Sequence, residues 1–289
     1  MSELPAPFPA PTVQLSTGAS MPQFGFGTYK VPDDQAEGVV SEALALGYRH
    51  IDTAAMYGNE RGVGRALAAS GLARDDLFVT TKLNNPDHEP QAAREGFARS
   101  LDLLGLDHVD LYLIHWPLAA STDYVATWRT MLEFTQDGRA RAVGVSNFQP
   151  NHLQAIIEAT GVVPAVNQIE VTPYLTQEPL RALHQELGII TEAWSPLARG
   201  RVFDDPAVGA VAERLGCTPA QLVLAWHMAR GDVVFPKSTS PERMRDNAGA
   251  IEVLRSGAIT EDVVAELAAL NVDERSGSHP DEVELDSKR

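Results

Sequence analysis

Four side chains able to do chemistry, Asp52, Tyr57, Lys82 and His115, each sit where a short apolar run turns polar. In "HIDTAAMYGNERGVG" the run ends at Asp52, and Tyr57 follows just before a Gly-Asn loop. Lys82 falls at the end of "LFVTTKL", and His115 at the end of "VDLYLIHW", ahead of Pro117. A tyrosine has an ordinary pKa of about 10. It donates its proton poorly at neutral pH until the phenolate is stabilised, and an ammonium beside it does that. The ammonium needs an anion to stay charged and placed, which Asp52 supplies. His115 can hydrogen-bond a substrate oxygen in the same pocket. Such a set is general-acid apparatus for a carbonyl that becomes an alkoxide, a role worth roughly 10²–10⁴-fold in rate.

Each residue alone has a plainer explanation. A strand-end aspartate also serves as a turn cap, a lone tyrosine as a packed ring, and a histidine before Trp-Pro as a core residue. Four polar groups at consecutive strand ends are hard to explain by packing. Two rival functions keep the same elements. One is a redox-sensing or binding subunit without turnover, which the intact quartet argues against. The other is a metal-dependent hydrolase, but the eight histidines include no HExxH and no Cys/His cluster exists, so no metal site is expected.

The elements that would bring the quartet together are legible as a repeat. Eight β-rich runs, "FGFGT", "HIDTA", "LFVTTKL", "VDLYLIHW", "AVGVSNF", "AVNQIEV", "IITEAWS" and "VVFPKS", alternate with amphipathic segments, several ending in Gly. Two helical patterns, "DPAVGAVAERLG" and "TPAQLVLAWHMARG", precede the last run. Eight βα units without a linker predict a (β/α)8 TIM barrel, with a short N-terminal β-hairpin around "STG" and a short C-terminal tail. We expect a single domain over 1–289, its core spanning about 12–281 with flexible termini. A doubly wound sheet would want a Gly-rich turn after its first strand, and neither "GFGTYK" nor "GVGRAL" supplies one. Barrel sites lie at the C-terminal ends of the strands. Neighbouring parallel strands are about 4.8 Å apart, which puts the ends of the second to fourth within roughly 10 Å.

Composition narrows the partners. The 289 residues are 44% hydrophobic, with a net charge of −16. That charge repels phosphate backbones and anionic membranes, so neither nucleic acid nor membrane is an expected partner. The single cysteine, Cys217, excludes an intrachain disulfide. The start "MSELPAPFPAPTVQL" lacks the basic and apolar regions of a signal peptide, and no apolar run is long enough to span a membrane. A soluble cytoplasmic monomer is the expectation.

Against that acidity, "PKSTSPERMRDN" concentrates positive charge. Ser240 suits an N-cap and Pro241 the first helical position. Arg243 then lies in the first turn with Asn247 on the same face, while Arg245 projects about 200° away. Lys237, Ser238, Thr239, Arg243 and the helix N-terminus form an anion site. A 2′-phosphate fits it, which favours NADP(H) over NAD(H).

These residues together make the chain resemble the aldo-keto reductase superfamily, most nearly its bacterial 2,5-diketo-D-gluconate reductase-like members. The resemblance runs from about Thr12 to Asp281. It is carried by "GYRHIDTAAMYGNE", "TKL", "VDLYLIHWP", "GVSNF", "VNQIE", "AWSPL" and "PKSTSPERMRDN". It implies metal-free, NADPH-dependent reduction of small aldehydes and ketones on a TIM barrel. Tyr57 would be the acid, Lys82 and Asp52 would tune it, and His115 would orient the carbonyl. Ser146, Asn147 and Gln168 would hold the nicotinamide carboxamide, Trp194 would stack on the ring, and Ser195 and Leu197 would line the pyrophosphate path. Tyr29, Tyr57, His115, Trp116 and Met56 would wall the substrate. Glu170 falls outside this expected site. Two departures stand out: Asn84 where relatives often carry tryptophan, and "ARGR" after Leu197 where they often carry a Gly-Gln-Gly-type turn. The short tail implies an open, permissive pocket.

Overall fold

In the computed structural model, which describes residues 6–285, the parallel strands follow the chain in an unbroken order. They are β3 (Phe26–Gly27), β4 (His50–Asp52), β5 (Phe78–Leu83), β6 (Val109–Ile114), β7 (Ala140–Ser146), β8 (Val166–Glu170), β9 (Ile190–Trp194) and β10 (Val233–Val234). The first and last strands meet: the Gly25 N–H donates to the Val234 carbonyl at 2.7 Å, and the Val234 N–H to the Gln23 carbonyl at 2.9 Å. The sheet thus closes on itself as the (β/α)8 barrel that the repeat predicts. Both the opening "MSELP" and the last four residues of the polar tail lie outside the described residues.

Strands of this kind are covered on both faces, and every residue of β5 and β6 is buried. Side chains alternate between the helices and the barrel interior. On β4, Ile51 joins the large core under the helices, while His50 and Asp52 point the other way, into the barrel. On β5, Thr81 bonds Glu60 of the helix α2 (Glu60–Ala69), and Thr80 and Lys82 face inward. The interior is therefore polar toward the C-terminal ends of the strands. At the opposite end it is apolar, filled by Phe78, Leu111, Leu113, Ala142 and Val166. The hairpin of β1 (Thr12–Gln14) and β2 (Ser20–Pro22) seals that end, inserting Leu15 and Met21.

The helices carry their own start and stop signals. The helix α5 (Pro150–Thr160) begins with proline at its first position and a reciprocal Gln149–His152 capping box. It ends at Gly161, whose φ of 70° is open to glycine at no steric cost. The helix α8 (Pro219–Ala229) buries almost every residue, because the helices α7 (Pro206–Leu215), α9 (Pro241–Ala248), α10 (Ala250–Arg255) and α11 (Glu261–Ala268) and strand β10 all pack around it. Packing reaches beyond the strands and helices at both ends of the chain. Phe8 stacks edge-on against Tyr48 at 5.1 Å, and Val283 is buried with Trp116 and Leu118. Among the described residues no helix is long and apolar enough to cross a membrane.

Candidate active site

Lys82 is fully enclosed, and its ammonium makes three contacts: 2.7 and 2.9 Å to the two oxygens of Asp52 and 2.8 Å to the Thr53 carbonyl. Burial opposes the charge on Lys82, but Asp52 outweighs it and holds the ammonium above its ordinary range. Burial likewise pushes the Asp52 carboxyl up, and Lys82 pulls it back; with the ammonium on both oxygens, the pair is ionised at neutral pH.

The ammonium of Lys82 lies 5.1 Å from the ring centre of Tyr57. That ring is partly exposed at the barrel mouth, between Tyr29 at 5.2 Å and His115 at 5.8 Å, while the hydroxyl end is enclosed by protein. Burial pushes the phenol up to about 12, with Lys82 acting against burial. The sequence predicts a phenol acidified by its ammonium. In the structure burial exceeds that effect, so the phenol keeps its proton at neutral pH, with Lys82 opposing the rise. The four residues of the quartet converge. Tyr29, half-exposed, stands at the rim, whereas Trp116 is nearly buried beneath Val283 of the tail. Asn84 accepts a hydrogen bond from the Asn85 N–H at 3.1 Å and so caps a short turn.

A second group links to the first by hydrogen bonds. Asn147 donates to the His115 carbonyl and to Ser146 Oγ, both at 3.0 Å, and accepts from Trp194 Nε1 at 2.9 Å. Ser146 in turn donates to the Gln168 carbonyl at 2.8 Å. The Gln168 amide donates to Asp52 at 2.9 Å. Trp194 is the hinge to a third group, since Ser195 opens a surface cleft of about 700 Å³. Seven of the residues singled out in the sequence line it: Ser195, Leu197, Lys237, Ser238, Thr239, Arg243 and Asn247.

The N-cap falls at Ser240, whose Oγ accepts the Arg243 N–H at 3.3 Å, with Pro241 at the first helical position. Arg245 leaves the cleft and faces Glu42 at 3.5 Å. Lys237, Arg243 and Arg199 line the cleft without an ion-pair partner among the described residues. Three cations against one lining carboxylate, Asp246, give the cleft a local positive charge in an otherwise acidic chain.

The backbone is bent most where these groups meet. The non-glycine residues of positive φ include Asn147, Ser195, Ala198 and Arg199, with Lys30 and Leu118 in other loops at the same end of the barrel. Each costs on the order of 1–3 kcal/mol, a strain that collects at functional ends.

Three acidic or basic residues in or beside the site are not among the site residues expected from the sequence. Arg199 joins the cleft, its exposed place in the "ARGR" departure being the available signal. Glu192 sits on β9 beside Gln168, which donates to it at 2.9 Å. Glu170 is fully buried at the end of β8. Its carboxylate accepts the Ser276 N–H at 2.7 Å, the Ser276 hydroxyl at 2.5 Å and the Gly277 N–H at 3.2 Å. Glu170 thereby ties the tail across the barrel mouth. A side chain on Gly277 would come within 2.3 Å of the Trp194 ring, so only glycine lets the tail lie there.

A barrel whose polar mouth joins a tyrosine-lysine-aspartate-histidine cluster to a cleft lined by Lys237, Arg243 and Arg199 has the make-up of an oxidoreductase. Residues 21–271 match the model of the aldo/keto reductase family, and the chain belongs to that family. It is 46% identical over 271 residues to an aldo-keto reductase of Mycobacterium sp. (strain JLS), covering 94% of this chain and 97% of the relative. It is 43% identical over 275 residues to methylglyoxal reductase DkgA of Escherichia coli (strain K12), covering 94% and 98%. Among solved structures, a variant of Gox0644 in complex with NADPH superposes with a TM-score of 0.89 at 39% identity, covering 95% of this chain and 99% of that one.

Proposed function

We propose that this protein reduces aldehyde and ketone groups of small molecules to alcohols with NADPH, using Tyr57 as general acid. The observation that carries the reading is the quartet around Lys82, joined through Asn147 and Trp194 to a cleft lined by unpaired cations. The donor set fits the cofactor. Lys237, Arg243 and the Ser240-capped helix start suit a 2′-phosphate, and Ser195, Leu197 and Arg199 suit the pyrophosphate. Gln168 Oε1, which no described residue donates to, and Asn147 Oδ1 suit the N–H groups of a carboxamide, with the Trp194 ring beside them. The NADPH complex of the related Gox0644 variant supports NADPH as the cofactor.

When bound, reduced nicotinamide supplies the hydride. The chain's own part is to hold the substrate carbonyl oxygen between Tyr57 and His115 and to deliver a proton to it. As the carbonyl carbon gains the hydride, the oxygen takes the phenolic proton, and the phenolate left behind faces the Lys82 ammonium, which Asp52 keeps in place. The net product is an alcohol, and Tyr57 recovers its proton from solvent at the half-open mouth. Methylglyoxal, named in a relative, and 2,5-diketo-D-gluconate are the first substrates to try. We take the setting as cytoplasmic and the working form as a monomer. The test is consumption of NADPH and of NADH by the purified protein against a panel of aldehydes and ketones. Carbonyl-dependent oxidation, faster with NADPH, is the expected result; no carbonyl-dependent oxidation with either cofactor overturns the proposal.

A further inference from the structure

Beneath the quartet lies a second carboxyl that the reaction outlined above does not use. Glu192 is fully buried inside the barrel. Its Oε2 accepts one N–H of the Gln168 amide at 2.9 Å, and Asp52 Oδ2 accepts the other at 2.9 Å. Its Oε1 has no hydrogen-bond partner among the described residues, the nearest ring nitrogen being His50 Nε2 at 3.9 Å. The ionised carboxylate of Asp52, which can only accept, and the accepting Oε2 of Glu192 together fix which way the Gln168 amide points. Its NH₂ is spent on them, and its carbonyl oxygen is left for a ligand.

Resting on the NADPH-dependent reading of the site, we propose that Glu192 is a positioning residue for the nicotinamide carboxamide, acting through Gln168. Asp52 alone takes one N–H and leaves the amide free to swing about that bond; Glu192 takes the second and removes the swing. It does so as a neutral acid. The charged and titratable groups facing it are Asp52 and His50 from β4 and Lys82 from β5; β10, its other neighbour, presents only Val233 and Val234. Burial holds His50 down to about 3, so that imidazole brings no charge. Lys82 is committed to Asp52. Two carboxyls therefore share one cation, and the carboxyl away from the ammonium keeps its proton. Burial, then the charge of Asp52, push Glu192 up to about 8.

The sign of the pH effect follows. An acid whose pKa rises from 4.5 unfolded to about 8 folded contributes stability that is present below 4.5 and lost as pH climbs to about 8. Glu192→Gln cannot ionise yet offers the same accepting oxygen to Gln168. Relative to wild type its melting temperature should rise steadily between pH 5 and pH 8 and level off above. Glu192→Leu removes the acceptor.

The experiment measures dissociation constants of wild type, Glu192→Leu and Glu192→Gln at pH 6.5 for three probes: NADPH, NADH and 2′-phosphoadenosine diphosphoribose, which has no nicotinamide. Losing one hydrogen bond of about 1 kcal/mol predicts that Glu192→Leu weakens NADPH and NADH equally, about three- to tenfold. The nicotinamide-free probe should bind as before, and Glu192→Gln should restore wild-type affinity. A purely packing role would weaken all three probes together and overturns the proposal, as does unchanged NADPH affinity in Glu192→Leu. A melting-temperature difference between Glu192→Gln and wild type that is flat with pH overturns the neutral-acid assignment. A wild-type protein that binds none of the probes overturns the reductase reading itself, a result distinct from these.

Discussion

The indole N–H of Trp194 donates to the side-chain oxygen of Asn147 at 2.9 Å, across the tips of β9 and β7. The bond fixes the plane of the indole, and the bare backbone of Gly277 closes against that ring. Asn147 itself sits at a φ of 63°, a region asparagine tolerates better than other side chains. A change at Trp194 therefore acts on a ring whose plane is already set. Trp194→Phe should keep an aromatic face but lose the donor, weakening NADPH and NADH alike by about threefold to tenfold, the worth of one hydrogen bond. Trp194→Ala should also remove most of the quench of intrinsic fluorescence on adding NADPH. An undiminished quench in both variants would remove Trp194 from the stacking role.

Tyr57→Phe should abolish carbonyl reduction while leaving NADPH binding nearly intact. The ring keeps its contacts with Tyr29 and His115, and only the proton donor is lost. Steady-state rates and a cofactor fluorescence titration on the same preparation check both halves. The role of general acid fails if turnover stays within a few-fold of wild type.

Lys82→Met should destabilise the fold as well as silence it. Removing one partner of a buried ion pair leaves the other charge uncompensated, at a cost of about 3–5 kcal/mol. For a domain this large that lowers the melting temperature by on the order of 10 °C. With the ammonium gone, Asp52 should titrate well above its unfolded value. The loss should then be smallest at acid pH, where Asp52 is protonated in both states, and grow as pH rises. The double variant Lys82→Met with Asp52→Leu should recover much of it, because no charge stays buried. Melting curves of the three proteins across pH test this; a Lys82→Met protein as stable as wild type would mean the pair contributes nothing.

The barrel was legible because its strands break the helical period eight times, and its site because polar residues stop apolar runs at Asp52, Lys82 and His115. What stayed hidden has a common cause. Glu192 lies inside a run, "IITEAWS", where a strand buried on both faces should be apolar. That anomaly is visible, but its partner Gln168 is known only from the register of β8 on β9. The role of Glu170 is hidden because its partners, Ser276 and Gly277, lie more than a hundred residues away in an irregular tail whose contacts no periodicity encodes. The hairpin was legible from its Ser-Thr-Gly turn. Its use as a plug depends on Leu15 and Met21 meeting Phe78 and Leu111, which is a tertiary fact. For Tyr57 the sequence names the ammonium that lowers the phenol but not the depth of burial, which raises it by more.

Discrimination between NADPH and NADH should reside in Arg243 with Lys237 and not in Arg245. The two arginines are two residues apart on one helix, and the helical turn sends them to different surroundings. Arg243 lines the cleft with no ion-pair partner among the described residues, while Arg245 faces Glu42 on the helix α1 (Asp33–Leu46). A charge-assisted hydrogen bond to a phosphate is worth roughly 1.5–3 kcal/mol, and 1.4 kcal/mol is tenfold. Arg243→Ala should therefore weaken NADPH binding about ten- to a hundredfold and barely change NADH, which lacks the 2′-phosphate. Arg245→Ala should alter neither, since an exposed pair such as Arg245–Glu42 is worth at most about 1 kcal/mol and touches no ligand. Dissociation constants for both cofactors with both variants, at fixed salt because the contact is ionic, decide the matter. Equal weakening of both cofactors by Arg243→Ala would assign Arg243 to the adenosine in general. Damage from Arg245→Ala alone would mean that the phosphate is read from the other face of the helix, against the cap at Ser240.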